Sequence, residues 1–348
     1  MTAELDVAPA WGWSRDQLEP LAGGLINATY VVRAAQPIAV LQRLHPIFGA
    51  TVNLDLEAVT EHLALRGLET PRLIRTLDGR PWVEHAGAVW RALTWIDGET
   101  VHRVPDPAWA EAGGALVGRF HRAVADLSHA YHFTRAGVHD TAAHLAKLRA
   151  RVDGGPEMER DGLGPAREMD AEAVALGQEI LSVPLPALPA QPRRHVHGDL
   201  KISNLLFRRD PLRAVALVDL DTLALGSMAF ELGDALRSWC NPHGEDAGHV
   251  HFELPIFAAA IAGFRAAADD LVTRDERIAI VTGLETVCIE LAARFAVDVF
   301  EDRYFGWDPA RFATRRAHNL IRARGQLALG LQIAAVREDA LEIVLAGS

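Results

Sequence analysis

At 348 residues, with 49% hydrophobic residues and a mean hydropathy of +0.06, the chain carries enough apolar material for two lobes of unequal size and is unlike a disordered polypeptide. A formal charge of −11, without clustered lysine or arginine, argues against a nucleic-acid-binding surface. No apolar stretch approaches the length of a membrane span, the acidic start lacks the pattern of a secretion signal, and Cys240 and Cys288 are too few for a disulfide framework, so a cytoplasmic protein with no membrane partner is expected.

The first hundred residues read mainly as short strands. Residues 29–32, 38–41 and 89–96 are brief runs rich in β-branched and aromatic side chains, bounded by Gly, Pro or Asp. Ahead of the first run lies Gly23-Gly24-Leu25-Ile26-Asn27, whose paired glycines let backbone approach a phosphate closely. Residues 53–66 intersperse Leu54, Ala58, Leu63 and Leu65 with acids and stop at Gly67, as a helix does. Beyond Asp97-Gly98 the pattern changes to long helices over residues 107–128, 140–152, 165–181 and 274–301. In the last of these Leu284, Cys288, Leu291, Phe295 and Val299 recur every three or four positions and share one face. The expected architecture is α+β and two-lobed, with a small β-rich lobe over residues 1–96 and a larger, mainly helical lobe over 97–348.

Two apolar runs, 204–207 and 215–218, interrupt the helical half and are joined by a polar turn, a hairpin signal. Just before it, His197-Gly198-Asp199-Leu200-Lys201-Ile202-Ser203-Asn204 sets an aspartate five positions ahead of an asparagine, and Val218-Asp219-Leu220-Asp221 closes the second run. This spacing suits phosphoryl transfer. A hydroxyl is a poor nucleophile, so a positioned carboxylate, Asp199, accepts its proton as the bond to phosphorus forms. Hard oxygen ligands, Asn204 and Asp219, hold Mg2+ against the polyanionic triphosphate of ATP, and Lys201 stabilises charge on the group in flight. His197 reads as a structural post for the loop. The pairs His195/His197 and His249/His251 lack the further ligands that a zinc site needs.

These residues resemble the aminoglycoside phosphotransferase and choline kinase superfamily, of protein-kinase-like fold, in which His-x-Asp is followed by Asn and then by a strand ending in Asp. Closer similarity is to the N-acetylhexosamine 1-kinase branch, through Gly24 to Tyr30, Leu41 to Leu44, Val59 to Leu63, Val218 to Thr222, Gly233 to Arg237 and His318 to Arg324. The resemblance implies an ATP-dependent kinase for a hydroxyl of a small polar molecule, with the anomeric hydroxyl of an N-acetylhexosamine as first expectation. Homoserine, choline and aminoglycosides are the alternative acceptors, and a nucleotide-binding protein without turnover is the reading from another class. On the nucleotide side the resemblance implies Gly23, Gly24 and Asn27 over the phosphates and a hinge including Trp95 and Ile96. A strand lysine normally contacts the phosphates and pairs with a helix glutamate; here the strand offers Gln42 and Arg43, of which one faces the cleft, with Glu57 or Glu61 as the helix partner. On the acceptor side it implies Asp199, Arg294, Asp298 and Tyr304, with Asp234 and Arg237 bracing the loop.

Overall fold

The computed structural model describes residues 4–21, 27–135, 137–154 and 165–346, so Gly23 and Gly24 lie outside the described residues. Strands β1 (Leu18–Pro20), β2 (Ala28–Arg33), β3 (Pro37–Arg43), β4 (Leu73–Ile74), β5 (Val83–His85) and β6 (Ala88–Thr94) form one antiparallel sheet in the order β1-β2-β3-β6-β4, with β5 on β6. The pleat sorts their side chains. Val32, Ala39, Leu41, Trp90 and Ala92 are buried with Val7, Ala8 and Trp11 of the N-terminal 3-10 segment Glu4–Trp11. The intervening residues, among them Gln42, Arg91 and Leu93, look the other way, towards helix α1 (Val52–Leu65) and the cleft.

The strand expected over residues 89–96 ends at Thr94, and the following segment bridges to the hairpin β8 (Leu205–Arg209) and β9 (Leu212–Leu217) through reciprocal bonds between Glu99 and Phe207, 3.0 and 2.8 Å long. That bridge sets the hairpin directly beneath the connector. Helix α2 (Pro107–Ala123) is shorter than the sequence pattern suggests. Beyond Ala123 the chain is engaged elsewhere: Asp126 pairs with Arg66, and the Leu127 carbonyl lies 2.8 Å from His195 Nε2.

The larger lobe continues through α3 (Thr141–Asp153), α4 (Pro165–Ser182), α5 (Met228–Trp239), α6 (Leu254–Ala268), α7 (Arg274–Glu301), α8 (Arg315–Ala335) and α9 (Arg337–Leu345). A small two-stranded sheet, β7 (Arg194–Val196) with β10 (Ala224–Gly226), flanks the hairpin. Helix α7 opens on a capping box: Thr273 Oγ1 accepts from the Glu276 amide and Glu276 Oε2 accepts from the Thr273 amide. It is buried on nearly every face, because α3, α4, α5, α8 and α9 all pack on it. Helix α5 approaches it at Gly233 and Gly283; a Cβ on Gly283 would lie 2.2 Å from the Ala229 carbonyl oxygen, so only glycine permits this contact. Among the described residues no helix is long and apolar enough to cross a membrane.

Candidate active site

The loop between β7 and β8 has a backbone that few sequences tolerate. Gly198 sits at φ +80°, and a Cβ there would meet the Thr222 carbonyl oxygen at 2.6 Å, so the position requires glycine on both counts. Its amides are pinned from below: His197 N and Gly198 N donate to the two carboxylate oxygens of Glu231 on α5, at 2.7 and 2.9 Å. The His197 imidazole is fully buried, with Nε2 3.0 Å from the Val218 carbonyl, and Thr222 Oγ1 donates to the His197 carbonyl at 2.7 Å. These contacts tie the loop to the end of β9.

Held in this way, the loop presents its polar side chains together. Asp199 Oδ2 accepts from Lys201 Nζ at 3.0 Å and Asn204 Nδ2 at 3.3 Å, while Asn204 Nδ2 also donates to the Asp199 carbonyl at 2.8 Å. Burial opposes charge on Lys201, but the Asp199 carboxylate outweighs it and raises the lysine above its ordinary range. Asp219, just past β9, adopts the left-handed region at φ 62°. Burial, then repulsion from Asp221 and Asp199, pushes its carboxyl up to about 6. Among the described residues no hydrogen-bond donor reaches this carboxylate, nor Oδ1 of Asn204. A crowded carboxylate and an amide oxygen, both lacking donors, are a donor set suited to a hard divalent cation.

Two cavities meet at this loop. The smaller, of about 340 Å³, is lined by Lys201, Asn204 and Asp219 below and by Gln42, Trp95 and Ile96 above. The larger, of about 640 Å³, is lined by Gly198 and Leu200 together with Arg135, Thr141, Thr222 and Asp234. Asp199 lines neither cavity itself; its neighbours Gly198 and Leu200 line the larger and Lys201, two residues on, lines the smaller.

The remaining site residues fall into place unevenly. Gln42, not Arg43, faces the cleft, because the pleat turns alternate residues of β3 apart. Asn27 lines the smaller cavity but is committed to the protein: Nδ2 donates to Asp221 Oδ2 at 2.7 Å and Oδ1 accepts from the His45 amide at 2.8 Å. Glu57 does not pair with a cation of β3; Arg75 takes both its oxygens, at 2.8 and 2.6 Å, because the outer surface of α1 carries it toward β4. Glu61 is exposed. Asp298 is corrected most clearly. Its carboxylate is consumed by the amides of Arg303, Tyr304 and Phe305 and by Asn319 Nδ2, at 2.9 to 3.1 Å, so it folds the turn after α7 and has no oxygen left for an acceptor. Arg294 approaches Glu290, 3.8 Å away, instead of Asp298, and lies over the rings of Tyr304 and Phe305. Arg294, Asp298 and Tyr304 nonetheless line one separate cavity of about 270 Å³ that shares Arg135, Gly137 and Val138 with the larger one, and Tyr304 Oη accepts from Arg135 Nη2 at 3.2 Å.

Asp234 pairs through Oδ1 with Arg237 at 2.9 Å, as expected of a brace, and it also lines the larger cavity. Two features escaped the sequence pattern. Arg91 of β6 reaches Asp221 across the cleft. Asp55, His129 and His132 cluster closely enough to share an ion, but the Asp55 carboxylate already accepts from the amides of His132 and Phe133 and meets both imidazoles at Oδ1; it fastens the segment after α2 to α1.

A two-lobed α+β chain with this loop and hairpin is a phosphotransferase of the small-molecule kinase type, with an alcohol group as acceptor. The chain belongs to the phosphotransferase enzyme family, APH, whose profile matches residues 17–268. It is 26% identical over 300 residues to the homoserine kinase of Granulibacter bethesdensis, covering 85% of this chain and 84% of that protein. Among solved structures it is similar to a microcompartment-associated aminopropanol kinase, with a TM-score of 0.61, 14% identity and coverage of 97% and 98% of the two chains. An amicoumacin kinase solved with AMP-PNP and Ca2+ gives a TM-score of 0.60 at 14% identity, covering 92% of this chain and 91% of that one.

Burial pushes the Glu231 carboxyl up, but the His121 imidazole, 3.4 Å away, and the His197 residue whose amide it accepts outweigh this and hold it below the ordinary carboxylate range. A group depressed on folding contributes stability that is complete above its unfolded pKa and is lost as pH falls through the folded value. Glu231→Gln should therefore melt below wild type near neutral pH, with the gap narrowing as the pH drops below ~4. Glu231→Ala should lose more stability, at about 1–3 kcal/mol for each orphaned amide. Thermal melts across pH test both; a gap that stays constant on acidification contradicts this role.

Proposed function

We propose that the protein transfers the γ-phosphate of ATP directly to a hydroxyl of a small polar acceptor, with nucleotide in the smaller cavity, acceptor in the larger and Asp199 between them. The observation that carries this reading is the loop itself: Lys201, Asn204 and Asp219 line one cavity, Gly198 and Leu200 line the other, and Asp199 has one oxygen held by Lys201 and Asn204. Its other oxygen has no donor among the described residues and is the one to receive the acceptor proton as the oxygen attacks phosphorus and ADP departs. Lys201, kept charged by Asp199, stabilises the transferring group. Asn204 and Asp219 would hold Mg2+, which when bound neutralises phosphate charge. Gln42 lines the phosphate side of the pocket, and Trp95 and Ile96 border the adenine side. Catalysis is then mostly positioning and charge complementarity.

For the acceptor, the reading extends to an N-acetylhexosamine phosphorylated at the anomeric hydroxyl. The segments Gly233 to Arg237 and His318 to Arg324 support it, as does a roomy cavity whose wall mixes apolar Phe230 and Leu223 with Thr141, Thr222, Ser227 and Asp234, a lining suited to a ring bearing several hydroxyls. Homoserine is the second reading, favoured by the Granulibacter relative.

Asp199→Ala should lower turnover by at least ~10²-fold with nucleotide binding intact, whereas Asp219→Ala should weaken Mg2+-dependent nucleotide binding. Near-normal turnover in the first variant contradicts the assignment. ADP release measured across N-acetylglucosamine, N-acetylgalactosamine, homoserine, choline and an aminoglycoside should be fastest with the hexosamines; turnover confined to homoserine removes the sugar reading and leaves the kinase reading standing.

A further inference from the structure

The strand position that carries a lysine in protein kinases is occupied here by a neutral side chain, Gln42, and the positive charge stands one strand away. Gln42 and Arg91 are directly opposite in the β3–β6 register. Gln42 Oε1 accepts from Arg91 Nε at 2.9 Å and from Nη2 at 2.8 Å, which leaves its Nε2, 3.3 Å from Thr29 Oγ1, as the polar atom on the cavity side. The guanidinium does not pair with a glutamate of α1; its nearest α1 partner is Asn53 Oδ1, at 3.5 Å. It crosses to the other lobe, where Nη2 donates to Asp221 Oδ2 at 3.0 Å and Nη1 donates to Oδ1. Both side chains are 1% exposed. Asp221 stands two residues past Asp219, and Asn27, just after the glycine pair, bonds the same carboxylate.

We infer that Arg91 is a positioning residue for the nucleotide. Its bidentate pair with Asp221 fixes the turn that carries Asp219, and its grip on Gln42 Oε1 presents the Gln42 amide N–H to the phosphates. The task that protein kinases give to a strand lysine and a helix glutamate within one lobe is here divided between a neutral donor and an arginine that joins the two lobes. The planar fork matters, because one guanidinium holds Gln42 on one edge and Asp221 on the other, and a lysine ammonium cannot do both.

This inference rests on the nucleotide reading above, and MgADP binding without any acceptor tests it separately. Removing one partner of a buried pair leaves the other charge uncompensated, so the main variant is the uncharged double substitution Arg91→Met with Asp221→Leu. It should still fold, as a cooperative melt will show, and bind MgADP ~10-fold more weakly or worse. A folded double variant with wild-type MgADP affinity overturns the inference and reduces the pair to a structural pin. Should the double variant not fold, Gln42→Met, which leaves the Arg91–Asp221 pair in place, should weaken MgADP binding by ~5-fold, and unchanged affinity there is equally fatal. Arg91→Lys should bind more weakly than wild type despite its charge; equal binding also overturns the role given to the fork. Failure of wild type to bind MgADP, in contrast, sinks the nucleotide reading itself.

Discussion

Three carboxylates, Asp199, Asp219 and Asp221, are crowded around one hairpin, and much of the surrounding structure answers their mutual repulsion. Each is answered differently. Lys201 reaches back two residues to Asp199, Arg91 crosses from the sheet lobe to Asp221, and Asp219 has no donor among the described residues, its carboxyl raised by burial and then by the other two. Buried like charges cannot all remain ionised without counter-charge. A built-in cation for two of them concentrates the unmet demand at the third, which is where an incoming divalent ion would be bound most favourably. On the function proposed above, this charge pattern would sort the three acids into a base, a ligand and an anchor.

Holding those acids in place is the work of a separate scaffold. Glu231 accepts both loop amides, His197 and Thr222 tie the loop to the hairpin end, and Gly198 supplies a backbone conformation that an L side chain would strain. Glu231 in turn is set by α5, which reaches α7 at the Gly233–Gly283 contact without any intervening side chain. A helix packed this closely has little room to slide, so the long buried helix at the centre of the larger lobe transmits its rigidity to the loop. The catalytic geometry is thereby a consequence of helix packing some distance from it.

Much of this was legible from residue order. The period of α7, the hairpin and the Asp199, Lys201, Asn204 and Asp219 spacing are local patterns, and local patterns survive in a sequence because neighbouring positions share an element. What was hidden depended on pairings across elements. Arg91 looks like any strand residue until the β3–β6 register sets it beside Gln42, and no spacing along the chain encodes that register. The separation of Arg294 and Asp298 by four positions is real helical geometry, yet it could not reveal that a turn folds back and places three amides on Asp298. Glu57 failed for the same reason: its partner, Arg75, lies just past β4, the strand that follows the helix. Side chains that meet their partners through tertiary structure are those a sequence reading misplaces.

The acidic character of the chain bears on the site as well. Among the described residues lining the smaller cavity, Lys201 is the single lysine or arginine, and it is already paired with Asp199. Arg91, the next cation inward, is spent on Asp221 and is buried behind Gln42. A polyanionic triphosphate entering such a cavity would find amides, hydroxyls and a partly neutralised ammonium instead of an excess of positive charge, so most of its counter-charge would have to arrive with it. That requirement makes affinity depend on the accompanying divalent ion more steeply than in a site built around free lysines. If Asp219 receives the ion as proposed, holding its turn from both lobes would let it carry most of the discrimination between a metal-bound nucleotide and a bare one.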